Sequence, residues 1–146
     1  MRFWPDNKGR DGARTPMQWE PGPGAGFGSS DVRPWLPFGD HDMQNVATQR
    51  EDRGSILWLT KDLIALRKES EDLTGGSYES LPAEGDVWAY RRGRHTVVAL
   101  NLSDDRGSLE GVSGTVVIST ARHGEGDKVD GTLELEPWQG AVVIGR

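Results

Sequence analysis

The densest chemistry in the sequence is the stretch Arg10-Asp11-Gly12-Ala13-Arg14-Thr15-Pro16-Met17-Gln18-Trp19. It sets two guanidinium groups and a carboxylate close together on a chain stiffened by Pro16, with an aromatic ring directly after. A guanidinium presents a rigid fork of donors that matches carboxylate or sugar hydroxyl oxygens, and an indole offers a flat apolar face to a sugar ring. Such a loop can floor a sugar pocket. The same residue types also permit a structural arrangement, with Arg10 and Asp11 paired to hold the loop and Arg14 on a structural carboxylate. Residue types and spacing leave both open.

Other chemistry-bearing residues carry less. His41-Asp42 reads as a surface loop pair, and His95 and His123 stand alone without a second ligand at metal spacing, so no metal site is expected. Glu69, Glu71 and Asp72 read as a solvated acidic linker. Trp88 and Trp138 suit either buried packing in a β-domain or a sugar platform on its surface.

The elements that must position these groups fall into two regions. Up to about Thr48 no helical or strand period is present, and Pro5, Pro16, Pro21, Pro23, Pro34 and Pro37 bias the chain toward loop. Trp4, Trp19, Phe27, Trp35 and Phe38 predict an ordered loop packed on a scaffold rather than a disordered one. A helix is predicted from about Arg53 to Lys68, N-capped by Asp52, with Ile56, Leu59, Leu63 and Leu66 forming an apolar stripe that Leu57 and Ile64 widen. After Gly76 the period changes to two. Strands are predicted at Tyr78 to Leu81, Asp86 to Arg92, Thr96 to Leu102, Thr115 to Ser119, Thr132 to Glu136 and Ala141 to Ile144. Regular short strands separated by turn residues predict an antiparallel sandwich.

Composition closes off several classes. The chain has 146 residues, a formal net charge of −6 and no cysteine, and its densest basic stretch is only Arg91, Arg92 and Arg94. No nucleic-acid partner is therefore expected, because phosphate neutralisation needs clustered cations, and no thiolate metal site or disulfide framework can form. No run approaches about 18 apolar residues, so no membrane-spanning helix is expected. The start, Met1-Arg2-Phe3-Trp4-Pro5-Asp6, has no apolar stretch typical of a leader, which together with the missing cysteines favours a cytoplasmic location.

Longer strings resolve the ambiguity of the Arg-rich loop. Arg2-Phe3-Trp4-Pro5, Gly9-Arg10-Asp11-Gly12 and Arg14-Thr15-Pro16-Met17-Gln18-Trp19 together resemble the loop after the last barrel strand in α-glucosidases and oligo-1,6-glucosidases of glycoside hydrolase family 13. Pro34-Trp35-Leu36-Pro37, Asn45-Val46 with Gln49, and Leu63-Ile64-Ala65-Leu66-Arg67-Lys68 are similar to that family's path through its eighth helix. Val98-Ala99-Leu100-Asn101-Leu102-Ser103 and Leu135-Glu136-Pro137-Trp138-Gln139-Gly140-Ala141-Val142-Val143 resemble its C-terminal β-domain. The resemblance runs collinearly over essentially the whole chain.

This resemblance implies an α+β fragment: residues 1–72 as the last loop and helix of a (β/α)8 barrel, and 73–146 as an antiparallel β-sandwich. It implies that Arg14 lines the pocket for a terminal glucose, with Arg10 and Asp11 shaping the loop and Gln18 and Trp19 behind it. The usual partner of Arg14, an aspartate from an early barrel loop, has no counterpart here. Ala13 and Glu20 depart from the residues common in relatives without altering the chemistry. Retaining hydrolysis needs a nucleophile and an acid about 5–5.5 Å apart, and the family carries both, with a third carboxylate, on strands that precede this loop. No catalytic residue and no cofactor are therefore expected in the chain itself. His41-Asp42 lies downstream of the Arg14 motif, the wrong order for the family's functional His-Asp pair.

The expected partner is an α-glucoside oligosaccharide handled by the parent enzyme, and the apolar helix stripe, without its barrel strands, is expected to favour self-association. The rival expectation is a stand-alone carbohydrate-binding or interaction module. Within the family, trehalose synthases and sucrose isomerases carry similar sequence.

Overall fold

The structure is a computed structural model that describes residues 10–31 and 33–145; the motif residues Arg2, Phe3, Trp4, Pro5 and Gly9 lie outside them. It divides into two compact units, Met1–Trp58 and Leu59–Arg146. The boundary expected between residues 72 and 73 falls inside the second.

In the first unit a short 3₁₀ helix, Arg10–Ala13, is followed by a long loop and by helix α1, Val46–Glu51. Helix α1 starts where the sequence showed only loop. It is specified locally, because Asn45 is extended and its side chain accepts from Thr48 N at 2.8 Å, satisfying an amide with no partner inside the helix.

Helix α2, Ile56–Glu69, starts three residues later than the sequence predicted, and Asp52 caps the C-terminus of α1 instead of starting α2. The cause is a local competitor. Asp52 Oδ1 accepts from Gly54 N at 2.8 Å, an Asx turn that holds the chain out of helical geometry until Ser55. Gln49 supplies the missing cap, its Oε1 accepting from Leu57 N at 3.0 Å.

The predicted apolar stripe is divided. Leu59 is buried and Leu66 half-buried, packing with Ile118, Val142, Val98 and Val117 in the second unit, whereas Ile56, Leu63 and Ile64 are exposed. Helix α3, Glu71–Gly75, is capped by Ser70, whose side chain accepts from Leu73 N. No helix is long and apolar enough to cross a membrane among the described residues.

Six strands follow: β1 Tyr78–Leu81, β2 Val87–Arg92, β3 Thr96–Asn101, β4 Gly107–Ser119, β5 Lys128–Leu135 and β6 Gly140–Ile144. They make one antiparallel sheet in the order β1-β2-β3-β6-β4-β5. The sheet curls. Val87 and Ala89 of β2 share one buried cluster with Leu133 and Leu135 of β5, although three strands separate them in the sheet. A Cβ placed on Gly107 of β4 would lie 2.6 Å from Val87 Cγ2 of β2, so only glycine allows that approach.

Strand β4 makes the bend. Its residues from Gly107 to Thr115 pair with β5 and those from Thr115 to Ser119 pair with β6, with register breaks at Glu110/Val112 and Val116/Ile118. Bulges of this kind increase twist and bend a strand. Arg122 bridges Asp62 of α2 and Glu125, holding the helix to the connection after β4.

Candidate functional site

The Arg14 loop is built from the backbone outward. The 3₁₀ turn closes with Arg14 N donating to Asp11 O at 3.0 Å, and the chain then runs extended through Pro16. Gln18 anchors the far end. Its amide nitrogen donates to Gln44 O, its Oε1 accepts from Gly39 N at 2.7 Å, and its own carbonyl accepts from Val46 N at 3.0 Å. Trp19 donates from its backbone to the buried Ala25 and accepts from Ala47 N, which folds the glycine-proline turn under the loop.

Arg14 is exposed and Asp11 half-buried, and neither forms an ion pair or side-chain hydrogen bond among the described residues. The side chain of Arg10 is outside the described set. The structure thus brings the backbones of Arg10, Asp11 and Arg14 into one tight turn. Trp19, at 48% exposed, offers part of its indole beside this turn in the sequence.

Several carboxylates of the first unit are occupied by its backbone. Asp42 Oδ1 accepts from Gly22 N at 3.0 Å and Asp40 Oδ1 from Met43 N at 3.3 Å. His41 and Asp42 are 4.0 Å apart, and the His41 ring contacts Gly39 O at 3.2 Å and lies 5.4 Å from the Phe38 ring. That pair is loop architecture. Gln18 was expected behind the Arg14 loop, and Asn45 was named, only through the family resemblance; their anchoring bonds were not foreseen, because an amide side chain between turn residues gives no periodic signal.

In the second unit Trp88 is 49% exposed and stands with Tyr90 and Tyr78 in a ladder, Trp88 to Tyr90 at 5.4 Å and Tyr90 to Tyr78 at 5.3 Å. Trp138 is 63% exposed and donates Nε1 to Asp104 Oδ1 at 2.8 Å. Neither is a core ring. No group of three His, Cys, Asp or Glu residues fit to hold a metal occurs among the described residues.

Asp72 is a carboxylate whose titration the fold shifts. Its carboxyl is held below the usual 3.8 chiefly by the backbone N–H of His95, against partial desolvation, with further help from the Arg94 N–H, the His95 charge and the Thr96 hydroxyl. It is a fastening for the β2–β3 turn rather than the solvated linker acid of the sequence reading.

Comparison with known proteins places these elements in context. Residues 1–76 match the Alpha-amylase family, described as "Alpha amylase, catalytic domain". A probable alpha-glucosidase of Rhizobium meliloti is 40% identical over 75% of this chain and 20% of its own length. A glucan 1,6-alpha-glucosidase of Streptococcus dysgalactiae is 38% identical over 92% of the chain and 26% of its own length. Among solved structures, the trehalulose synthase MutB of Pseudomonas mesoacidophila superimposes with a TM-score of 0.80 at 29% identity, covering 92% of this chain and 26% of that one. The chain spans about a fifth to a quarter of the length of the relatives it matches.

Proposed function

The chain belongs to the Alpha-amylase family, and from that premise we propose that it is the C-terminal part of an α-glucosidase that releases terminal α-linked glucose from oligosaccharides with retention. Arg14 contributes to the wall of the glucose pocket, with Arg10 and Asp11 shaping the turn that presents it. The observation that carries this reading is the Arg14 turn itself: an exposed guanidinium, unpaired among the described residues, within the stretch that matches the catalytic domain. In a (β/α)8 barrel, substrate contacts gather on the loops at the C-terminal ends of the strands. The relatives named as glucosidases support the substrate class, while the likeness to a trehalulose synthase supports an isomerase of the same family equally well on fold.

The nucleophile and acid belong, on this reading, to barrel strands outside these 146 residues, so the chain alone does not turn over and works in the cytoplasm only as part of a larger enzyme. The purified chain is expected to release no nitrophenol from an aryl α-glucoside. Turnover within the ordinary enzyme range of about 1–10³ s⁻¹ would overturn the reading.

A second reading rests on the ladder of exposed Trp88 and Tyr78 with half-buried Tyr90 between them. Aromatic faces at a sheet surface suit stacking against sugar rings, as in a carbohydrate-binding module. Affinity electrophoresis in glycogen separates the two, since migration slowed by glycogen and restored by Trp88→Ala or Trp138→Ala favours the module.

A further inference from the structure

Strand β2 sends Val87 and Ala89 into the core and places Arg91 at the next position of the same face, opposite Val97 of β3. A cation there ends the apolar series at the open end of the curled sheet. Arg91 lines a cavity of about 540 Å³ with Arg94, His95, Lys128 and residues 111 to 115 of β4. Asp130 is the one acid among its described lining residues.

In a chain of net charge −6, this concentration of cations goes against the average field. None of Arg91, Arg94 and Lys128 forms an ion pair among the described residues, and Arg91 Nε is buried without a hydrogen-bond partner. A buried donor of this kind costs free energy unless something accepts from it.

We propose that this cavity binds a phosphate group, either as the free ion or carried on a small metabolite such as a sugar phosphate. Two guanidinium forks match the paired oxygens of an oxyanion, and Lys128 adds a point charge from a separate strand. Gly111, which the β4–β5 register skips, lines the cavity without a side chain, and a Cβ built there would meet nothing within 4 Å. The volume falls within the range of small-molecule sites and exceeds that needed by a bare phosphate.

The test is a titration of the full chain with inorganic phosphate at pH 7 and constant ionic strength, followed by phosphorus NMR. Saturable binding is expected, weakened at least about tenfold by Arg91→Gln and by Arg94→Gln, and unchanged by Arg106→Gln, whose side chain pairs with Glu136 elsewhere. Circular dichroism checks folding, and the exposed Lys128→Gln replaces Arg91→Gln if that variant unfolds. A parallel titration with glucose 6-phosphate distinguishes the sources: tighter binding assigns the site to a sugar phosphate, and equal binding to the free ion. Linear, non-saturating uptake, or an affinity untouched by Arg94→Gln and Lys128→Gln, overturns the proposal, because the long basic side chains would then only cover the sheet rim with their heads in water.

Discussion

In the first compact unit the chain is held by side-chain amides: Gln18 reaches Gln44 O and Gly39 N, and Asn45 reaches His41 O and Thr48 N. In the second the same task falls to a continuous apolar cluster in which Ala99 and Val143 are 0% exposed and Leu109 and Leu135 1%. The difference is one of currency. A typical protein hydrogen bond nets about 0.5–1.5 kcal/mol because water competes for both partners, whereas burying a leucine or valine contributes about 1.5–3 kcal/mol. The first unit also leaves Trp35 94% and Phe27 56% exposed, so these two described aromatics are not core rings.

The comparison breaks most visibly in the core. Leu135→Ala is expected to lower the stability of the sheet by about 2–5 kcal/mol, the lost transfer term plus the cavity left behind. Hydrogen exchange read peptide by peptide under increasing urea would find the loss in β2 to β6 and little change before Trp58. Equal loss in both units would mean that they unfold together, with no difference in how each is held.

A smaller effect is expected where the second unit uses a polar hub. Asn101, 2% exposed, donates to Asp105 O at 2.7 Å and Glu136 O at 3.0 Å and accepts from Ser103 N at 3.2 Å. Asn101→Ala removes a buried amide and these three part-buried hydrogen bonds and should cost about 1–3 kcal/mol, visible as a lower urea midpoint with an unchanged slope. Asn45→Ala is the counterpart in the first unit, with a cap worth about 0.5–2 kcal/mol. Its expected signature is faster exchange confined to α1 and the loop from Gly39 to Gln44, with the sheet untouched.

The sequence made some of this legible and hid the rest for definite reasons. Alternation marked β1 at its true ends and β2, β3 and β6 to within a residue, because those strands are rich in valine, alanine and aromatics. It missed the first half of β4, where Gly107, Gly111 and Gly114 weaken any strand signal and yet are what let the sheet bend. Helix α2 was visible from its leucines, but its start was set by the Asx turn at Asp52, a side-chain event that periodicity does not register. In the candidate site, the Arg14 turn could be picked out by residue type, whereas the amide web around Gln18 depends on residues about 20 to 30 positions apart that only folding brings together.

The least of the expected effects concerns how the helical segment is fastened to the sheet within the second unit. Asp72 Oδ2 accepts from His95 N at 2.8 Å and Oδ1 from Arg94 N at 3.2 Å, which ties α3 to the β2–β3 turn. Gly93 makes the approach possible: its φ is +57°, and a Cβ there would lie 1.9 Å from Asp72 Oδ1. Because these donors favour the charged carboxylate, its folded pKa lies below the usual 3.8. Folding is therefore favoured by this group above that value, and the gain is lost as the pH falls through the carboxylate range toward the folded pKa. The urea midpoint of the chain should exceed that of Asp72→Asn at pH 7, and the gap should narrow below about pH 4. Salt should narrow it too, since the group is only half-buried. A gap independent of pH would show that the side chain holds the turn by shape rather than by charge, and Gly93→Ala, which displaces the carboxylate without removing it, would then be the variant that loosens the turn.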